Sequence, residues 1–214
     1  MAASCASLAN QATLVSIFAD DAPPGLQAPE LALTLSRYVL DSQIRVIAHS
    51  WGTVRLLAAL QRLPGLTATG YLVAPVPTTW SAFCILRDRA LAQLPSEVVT
   101  LLATPGLEEF SDDQVAAMLP TYMSPQANGR PRGLRFNVAT YRRDLTASHG
   151  YDVRSALGQI CGCTIVLGND DFVQPGDVAD LIDAASSVIN VRNAGHFVLD
   201  EQPGDAHVLL HALV

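Results

Sequence analysis

The 214-residue sequence contains no lysine, so arginine supplies all 13 basic residues against 20 acidic ones. The formal net charge is therefore −7, which makes the chain a poor binder of nucleic acid and of anionic membranes. Charged residues make up only 15% of the chain, whereas hydrophobic residues make up 50%. This balance excludes an intrinsically disordered chain and predicts a folded domain whose partners include neither nucleic acid nor a membrane.

Long hydrophobic runs are missing as well. No apolar run reaches the roughly 18 residues that a membrane-spanning helix requires. The N-terminal segment has no arginine ahead of its apolar stretch, whereas a secretory signal begins with a positive segment. We therefore expect a cytoplasmic protein without transmembrane helices.

Cysteine is scarce: the chain has four, which is too few for a disulfide scaffold at this length. Cys161 and Cys163 lie two positions apart, a spacing that differs from the C-x-x-C of metal and redox sites, and no second pair accompanies them. We predict that these thiols are buried or incidental and that the protein needs no metal ion and no cofactor.

What the sequence does contain is an alternation of short apolar runs with amphipathic segments. Strands are predicted at residues 13–19, 44–48, 70–74, 164–167 and 187–191. Helices are predicted at residues 29–40, 52–63, 177–185 and 204–214. Because the strands are apolar throughout and alternate with helices, the pattern predicts an α/β fold, with a mostly parallel sheet flanked by helices.

The segment between the third and fourth predicted strands, residues 76–159, lacks a strand pattern and is too long for a simple crossover. Four helices are predicted in it, at residues 81–94, 96–103, 111–119 and 136–146. Ser111 and Gln114 have the spacing of a capping box at the third of these helices. We predict that residues 76–159 form a helical cap over the carboxyl edge of the sheet, while residues 1–75 and 160–214 form the core domain.

The second predicted strand runs directly into a helix through residues 44–57, IRVIAHSWGTVRLL. A strand, a sharp turn and a helix are typical of a nucleophile elbow, here around Ser50, with the small residues Ala48 and Gly52 two positions to either side. The backbone N–H of Trp51 then lies at a helix N-terminus, where it can donate to an oxyanion. The alternative is a serine that only caps the helix.

A serine nucleophile needs a base and an acid that orients the base. Asp170 and Asp171 follow the fourth predicted strand and His196 follows the fifth, so all three are expected at the sheet edge where Ser50 lies. The chain order Ser, Asp, His is the order of this architecture. Turn chemistry is the alternative for one of the aspartates, and a structural loop histidine is the alternative for His196. His49, which precedes Ser50, is expected to pack against the helix.

These segments resemble the α/β-hydrolase fold superfamily, and within it the capped, proline-iminopeptidase-like or epoxide-hydrolase-like branch. The resembling motifs are HSWG at residues 49–52, GYDVRSALGQI at 150–160, GNDDFVQP at 168–175 and AGHFVLDEQP at 194–203. The family pattern G-x-x-D-x-x-x-P matches Gly168, Asp171 and Pro175, so the resemblance favours Asp171 over Asp170 as the acid. Because Ser50 stands where epoxide hydrolases and dehalogenases have an aspartate, the resemblance excludes those two chemistries.

Two features depart from the family pattern. Family members carry an earlier strand that ends in His-Gly and supplies the second oxyanion donor, whereas no His-Gly precedes Ser50. The chain is therefore expected to lack the N-terminal strands of the family, and residues 13–19 are expected to pair directly with residues 44–48. Thr53 also replaces the family's usual second glycine. Losing one oxyanion donor costs about 3–4 kcal/mol, so the missing strand predicts a poor enzyme.

The resemblance implies a serine hydrolase that transfers an acyl group to water. The expected substrate is a small ester or amide, including aminopeptidase-like substrates, and the expected intermediate is an acyl-enzyme. Ser50 is the predicted nucleophile, His196 the base, and Asp171 the acid that orients it. Trp80 and Phe83 are predicted to wall an apolar substrate pocket, with a place in the hydrophobic core as the alternative. Two rival functions stay open: a non-catalytic remnant that only binds a ligand, and an acyltransferase with the same triad.

Overall fold

Four parallel strands form the sheet of the structure, a computed structural model that describes residues 31–33, 35, 43–131 and 133–211. The strands are β1 (Gln43–His49), β2 (Thr67–Val73), β3 (Gly162–Gly168) and β4 (Ser187–Val191), side by side in that order. They confirm four of the predicted strands and the parallel arrangement. The remaining predicted strand, residues 13–19, and its pairing with β1 lie outside the described residues.

Helices follow the strands at the predicted places, and one further short helix, at Val198–Glu201, was not predicted. They are α1 (Trp51–Leu60) after β1, α6 (Ala179–Ala184) between β3 and β4, and α7 (Val198–Glu201) and α8 (Pro203–His211) after β4. A 3₁₀ helix at Pro175–Val178 leads into α6, with Pro175 at its start, where the missing N–H has no acceptor within the helix. Residues 31–33 and 35 are helical, in agreement with part of the predicted helix at 29–40, and the rest of that prediction lies outside the described chain.

Successive side chains of the central strands cover the two faces of the sheet. Leu72 and Ile165 are fully buried in one hydrophobic cluster with α1. Val73 and Val166, the next residue in each strand, are fully buried in a second cluster with α7 and α8. Burying one such side chain contributes about 1.5–3 kcal/mol, so both faces are closed by substantial apolar contact. The sheet is therefore covered on both sides, as the unbroken apolar runs predict.

Between β2 and β3 the chain forms the predicted helical insertion. Its helices are α2 (Trp80–Leu91), α3 (Ser96–Ala103), α4 (Asp112–Tyr122) and α5 (Val138–Ala147). They share a buried cluster of their own, which comprises Leu94, Val98, Phe110, Val115, Met118 and Val138. The capping box of α4 is confirmed, since Ser111 N–H donates to Gln114 Oε1 at 2.8 Å and Gln114 N–H donates to Ser111 Oγ at 3.4 Å.

The boundary between a core domain and a separate cap, drawn in the sequence at residues 76–159, stays a prediction. Among the described residues, none of the helices combines the length and the apolar character needed to cross a membrane.

Candidate active site

Ser50 lies alone in the turn between β1 and α1, with a left-handed backbone of φ 53° and ψ −123°. A non-glycine residue in such a conformation costs about 1–3 kcal/mol. Two backbone hydrogen bonds hold it there: Ser50 N–H donates to Val73 O at 2.9 Å, and Thr53 N–H donates to Ser50 O at 3.0 Å. The strand, strained turn and helix expected of a nucleophile elbow are thus present. A Cβ added at Gly52 would meet no described atom within 4 Å apart from its chain neighbours and the backbone of its own helix.

The structure brings Ser50, His196 and Asp171 together, although 146 residues separate the first two and 25 the last two. His196 Nε2 lies 2.8 Å from Ser50 Oγ. His196 Nδ1 lies 3.1 Å from Asp171 Oδ2 and 3.2 Å from Oδ1. Because an ionised carboxylate only accepts, the proton belongs on Nδ1, and Nε2 is left to accept from the serine hydroxyl. This tautomer is the one that a general base beside a serine requires.

The other aspartate of the pair, Asp170, binds Ser124. Asp170 Oδ2 accepts a hydrogen bond from Ser124 Oγ at 2.5 Å, whereas Asp171 Oδ1 also accepts from Val173 N–H at 3.1 Å. Asp171 and His196 are both buried, with 3% and 4% of their surface exposed. The geometry therefore agrees with the choice of Asp171 over Asp170 that the family pattern favours.

Four rings enclose the His196 imidazole. The distance from the centroid of the His196 ring is 4.7 Å to the ring of Phe172 and 5.0 Å to that of His49. It is 5.9 Å to the rings of both Phe197 and Tyr122. Such an apolar enclosure keeps water from the imidazole and strengthens its hydrogen bonds to Asp171 and Ser50.

The side chain of His49, which was predicted to pack against the helix, lies against the loop that carries His196. Its Nε2 lies 2.8 Å from His196 O. Burial, followed by the neighbouring His196, lowers the pKa of His49 from its ordinary value near 6.5 to about 4. The ring is therefore neutral at physiological pH, and its Nε2–H donates to the carbonyl oxygen. Strand alternation explains the placement, because His49 and the buried Ala48 point to opposite faces of the sheet.

Trp51 links the elbow to the predicted pocket residues of the insertion. Its ring contacts Phe83 at 4.8 Å and Tyr151 at 5.5 Å between centroids, and Trp80 contacts Phe83 at 5.7 Å. Phe83 is buried, whereas Trp51 and Trp80 are partly exposed. Among the described residues, none is recorded as accepting a hydrogen bond from the backbone N–H of Trp51. A role for Trp80 and Phe83 in substrate binding stays a prediction.

One buried charge was missed by the sequence reasoning. Glu201 is fully buried, and its carboxylate accepts hydrogen bonds from the N–H groups of Gly195, Phe197 and Ser124. The sequence gives no separate signal for it, because Glu201 lies between Asp200 and Gln202 in a polar run before Pro203, a pattern typical of a helix start.

Metal ligands are not gathered anywhere in the described ranges, where no three His, Cys, Asp or Glu side chains lie close enough to hold an ion. Cys161 is exposed and Cys163 is buried, and burial raises the pKa of the Cys163 thiol to about 12.

Comparison with known families gives one match that spans most of the chain. The model of the alpha/beta hydrolase family matches residues 13–208. No curated protein matches the sequence.

Several solved structures are similar in fold. MGS-M2, an alpha/beta hydrolase from a Medee basin deep-sea metagenome library, is 15% identical, with a TM-score of 0.59 over 87% of this chain and 70% of that one. VinJ is 18% identical, with a TM-score of 0.56 over 92% of this chain and 74% of that one. The proline iminopeptidase of Mycobacterium smegmatis is 16% identical, with a TM-score of 0.52 over 94% of this chain and 75% of that one.

Proposed function

The chain belongs to the alpha/beta hydrolase family, and on that premise we propose that it is a serine hydrolase that cleaves a small ester or amide through an acyl-enzyme. Membership of the family supports hydrolysis in general. The serine mechanism is supported by one observation, the continuous hydrogen-bonded chain from Ser50 Oγ through the His196 imidazole to the Asp171 carboxylate.

In the proposed mechanism, Ser50 Oγ attacks the substrate carbonyl while its proton passes to His196 Nε2. Asp171 stabilises the imidazolium that forms, and the backbone N–H of Trp51 donates to the developing oxyanion. The tetrahedral intermediate collapses as His196 returns the proton to the leaving alcohol or amine. Water then attacks the acyl-enzyme by the same sequence of proton transfers, which releases the acid and restores Ser50.

The aromatic residues beside the nucleophile elbow would bind the substrate. The partly exposed rings of Trp51 and Trp80, which both contact Phe83, would give an apolar wall next to Ser50 for the acyl or amino side chain. The helical insertion, residues 76–159, would then act as the cap that brings this wall over the sheet edge.

A fluorophosphonate probe tests the proposal, because it labels a serine only where a base activates it. We expect labelling of the peptide that contains Ser50, detected by mass spectrometry, and no labelling of Ser50→Ala. Ser96→Ala, a change at an exposed serine of α3, is the matched control and should label as the unmodified protein does. A folded protein that takes no label at Ser50 would reject the hydrolase and favour a remnant that only binds a ligand.

A further inference from the structure

The buried carboxylate of Glu201 is satisfied by backbone N–H groups from two separate segments. Its Oε2 accepts from Ser124 N–H at 2.7 Å and from Gly195 N–H at 2.9 Å. Its Oε1 accepts from Phe197 N–H at 2.9 Å. Burying an ionised carboxylate is costly unless several donors replace its water, and three amide donors fulfil that condition here.

Two of these donors flank His196 directly. The N–H of His196 itself donates to Tyr122 O at 2.6 Å. Three consecutive backbone N–H groups, from Gly195 to Phe197, are therefore each held by a fixed acceptor. With its backbone fixed on both sides, His196 has little freedom to move its ring away from Asp171.

The other partner of Glu201 is the strap, residues 122–129, which joins α4 to the loop before α5. Besides Ser124 N–H, the N–H groups of Asn128 and Gly129 both donate to Glu201 O at 2.9 Å. Ser124 Oγ donates to Asp170 Oδ2, one residue from Asp171. The strap thus spans both loops that carry the proposed base and its acid.

Two glycines allow the strap to approach this closely. A Cβ added at Gly195 would lie 2.5 Å from Tyr122 O and 2.8 Å from Met123 Cα. A Cβ added at Gly129 would lie 2.2 Å from Asp200 O. Backbone therefore packs on backbone without room for a methyl group, and the contact between the strap and the His196 loop is a built feature of the fold.

We propose that Glu201 is a positioning residue that fixes the His196 imidazole between Ser50 and Asp171 by holding the backbone on both sides of it and tying it to the strap. This inference rests on the proposed function, because Glu201 acts only through His196.

The test is Glu201→Gln, which preserves the shape of the side chain. A glutamine has one acceptor oxygen and one donor NH₂, so at least one of the three N–H groups would face another donor. We expect kcat for a small ester, and the rate of fluorophosphonate labelling, to fall about 100-fold, with KM changed by less than about twofold. Glu109→Gln makes the same change at an exposed site of the insertion, and its rates should equal those of the unmodified protein.

Two NMR readouts separate positioning from general destabilisation. In Glu201→Gln that remains folded by circular dichroism, the Nδ1–H signal of His196 should broaden and the amides of residues 195–197 should exchange faster with solvent. An unchanged labelling rate together with unchanged signals in the folded variant would overturn the proposal. If the variant does not fold, amide exchange is measured in the unmodified protein instead. Amides of Gly195 and Phe197 that exchange as fast as exposed amides would equally overturn the proposal.

The proposed function and this inference can fail separately. If the unmodified protein takes no label at Ser50, the hydrolase proposal fails. The His196 signal and the amide exchange still decide whether Glu201 fixes the loop, since neither depends on turnover.

Discussion

At the scale of single residues, two neighbouring aspartates offer a matched comparison. Asp171 accepts from His196 Nδ1, so Asp171→Asn would present an NH₂ donor to a ring nitrogen that must itself donate. We expect kcat to fall about 10³–10⁴-fold, because the imidazole is then held in the wrong tautomer. Asp170→Asn keeps an oxygen that can accept from Ser124 Oγ, and we expect less than about a threefold loss. Steady-state rates on one ester substrate measure both, and equal losses would contradict the assignment.

His49 predicts a dependence of stability on pH. Its pKa is about 4 in the folded protein, whereas an unfolded chain takes up the proton near the ordinary value of 6.5. Between these values the unfolded state binds more protons, so this residue makes the folded state less stable as the pH falls from about 6.5 to about 4. The loss is about 2 kcal/mol at pH 4.5 relative to pH 7. The charged or titratable groups that act on it are His196, Asp171 and Asp200.

Urea unfolding at pH 7 and pH 4.5 checks this expectation. His49→Gln can still donate to His196 O but does not titrate, so the free energy of unfolding should drop less between the two pH values than in the unmodified protein. His149→Gln, at an exposed position, should retain the full drop. Equal drops in all three proteins would show that His49 does not contribute.

The residues that touch each other across the site were only partly predictable. Ser50, Asp171 and His196 follow apolar runs, and parallel strands bring their carboxyl ends to one edge, so sequence order alone predicts that they meet. Glu201 and Ser124 follow no such rule. Their contact depends on how an insertion folds back over a loop, and neither residue type nor spacing encodes that path.

At the scale of elements, propensity located the strands and helices but tertiary contacts set their ends. β2 begins at Thr67, three residues before the predicted start, because Gln43 of β1 pairs with Thr67 and extends the ladder through a polar segment. α4 continues beyond Pro120 to Tyr122, although proline normally ends a helix. Tyr122, the last residue of this helix, packs its ring on Phe172 at 5.1 Å and on His196 at 5.9 Å between centroids.

Another element end is fixed by a side chain distant in sequence. The guanidinium of Arg142 in α5 donates to the carbonyl oxygens at the end of α3, including Leu102 O at 2.7 Å and Leu101 O at 3.2 Å. A cation at a helix C-terminus satisfies carbonyls that have no partner within the helix and interacts favourably with the helix dipole. Sequence periodicity located both helices, but it gave no indication that one of them caps the other.

At the scale of the whole molecule, polar contacts fasten the helical insertion to the sheet and its flanking helices. Arg55 of α1 pairs with Asp144 of α5, and Arg89 of α2 pairs with Asp177 before α6. Arg89 also donates to Phe172 O at 3.1 Å, beside Asp171. The insertion is therefore tied to the helix that follows Ser50 and to the loop that carries Asp171. Loosening these ties should affect the stability of the sheet and the insertion together.

The Arg55–Asp144 pair allows this coupling to be measured. Both side chains are mostly shielded, with 20% and 22% exposed, so removing Arg55 leaves the Asp144 carboxylate poorly solvated, with its weaker ion pair to Arg143 at 3.4 Å. We expect Arg55→Ala to lower the free energy of unfolding by about 1–2 kcal/mol, in a single transition, because the sheet and the insertion unfold as one unit. Arg154→Ala removes an ion pair whose members are 61% and 47% exposed, and should lower the free energy of unfolding by less than Arg55→Ala does, because solvent screens exposed charges. Guanidinium unfolding followed by circular dichroism and by tryptophan fluorescence checks both. Separate transitions for the two signals in Arg55→Ala would mean that the insertion unfolds alone.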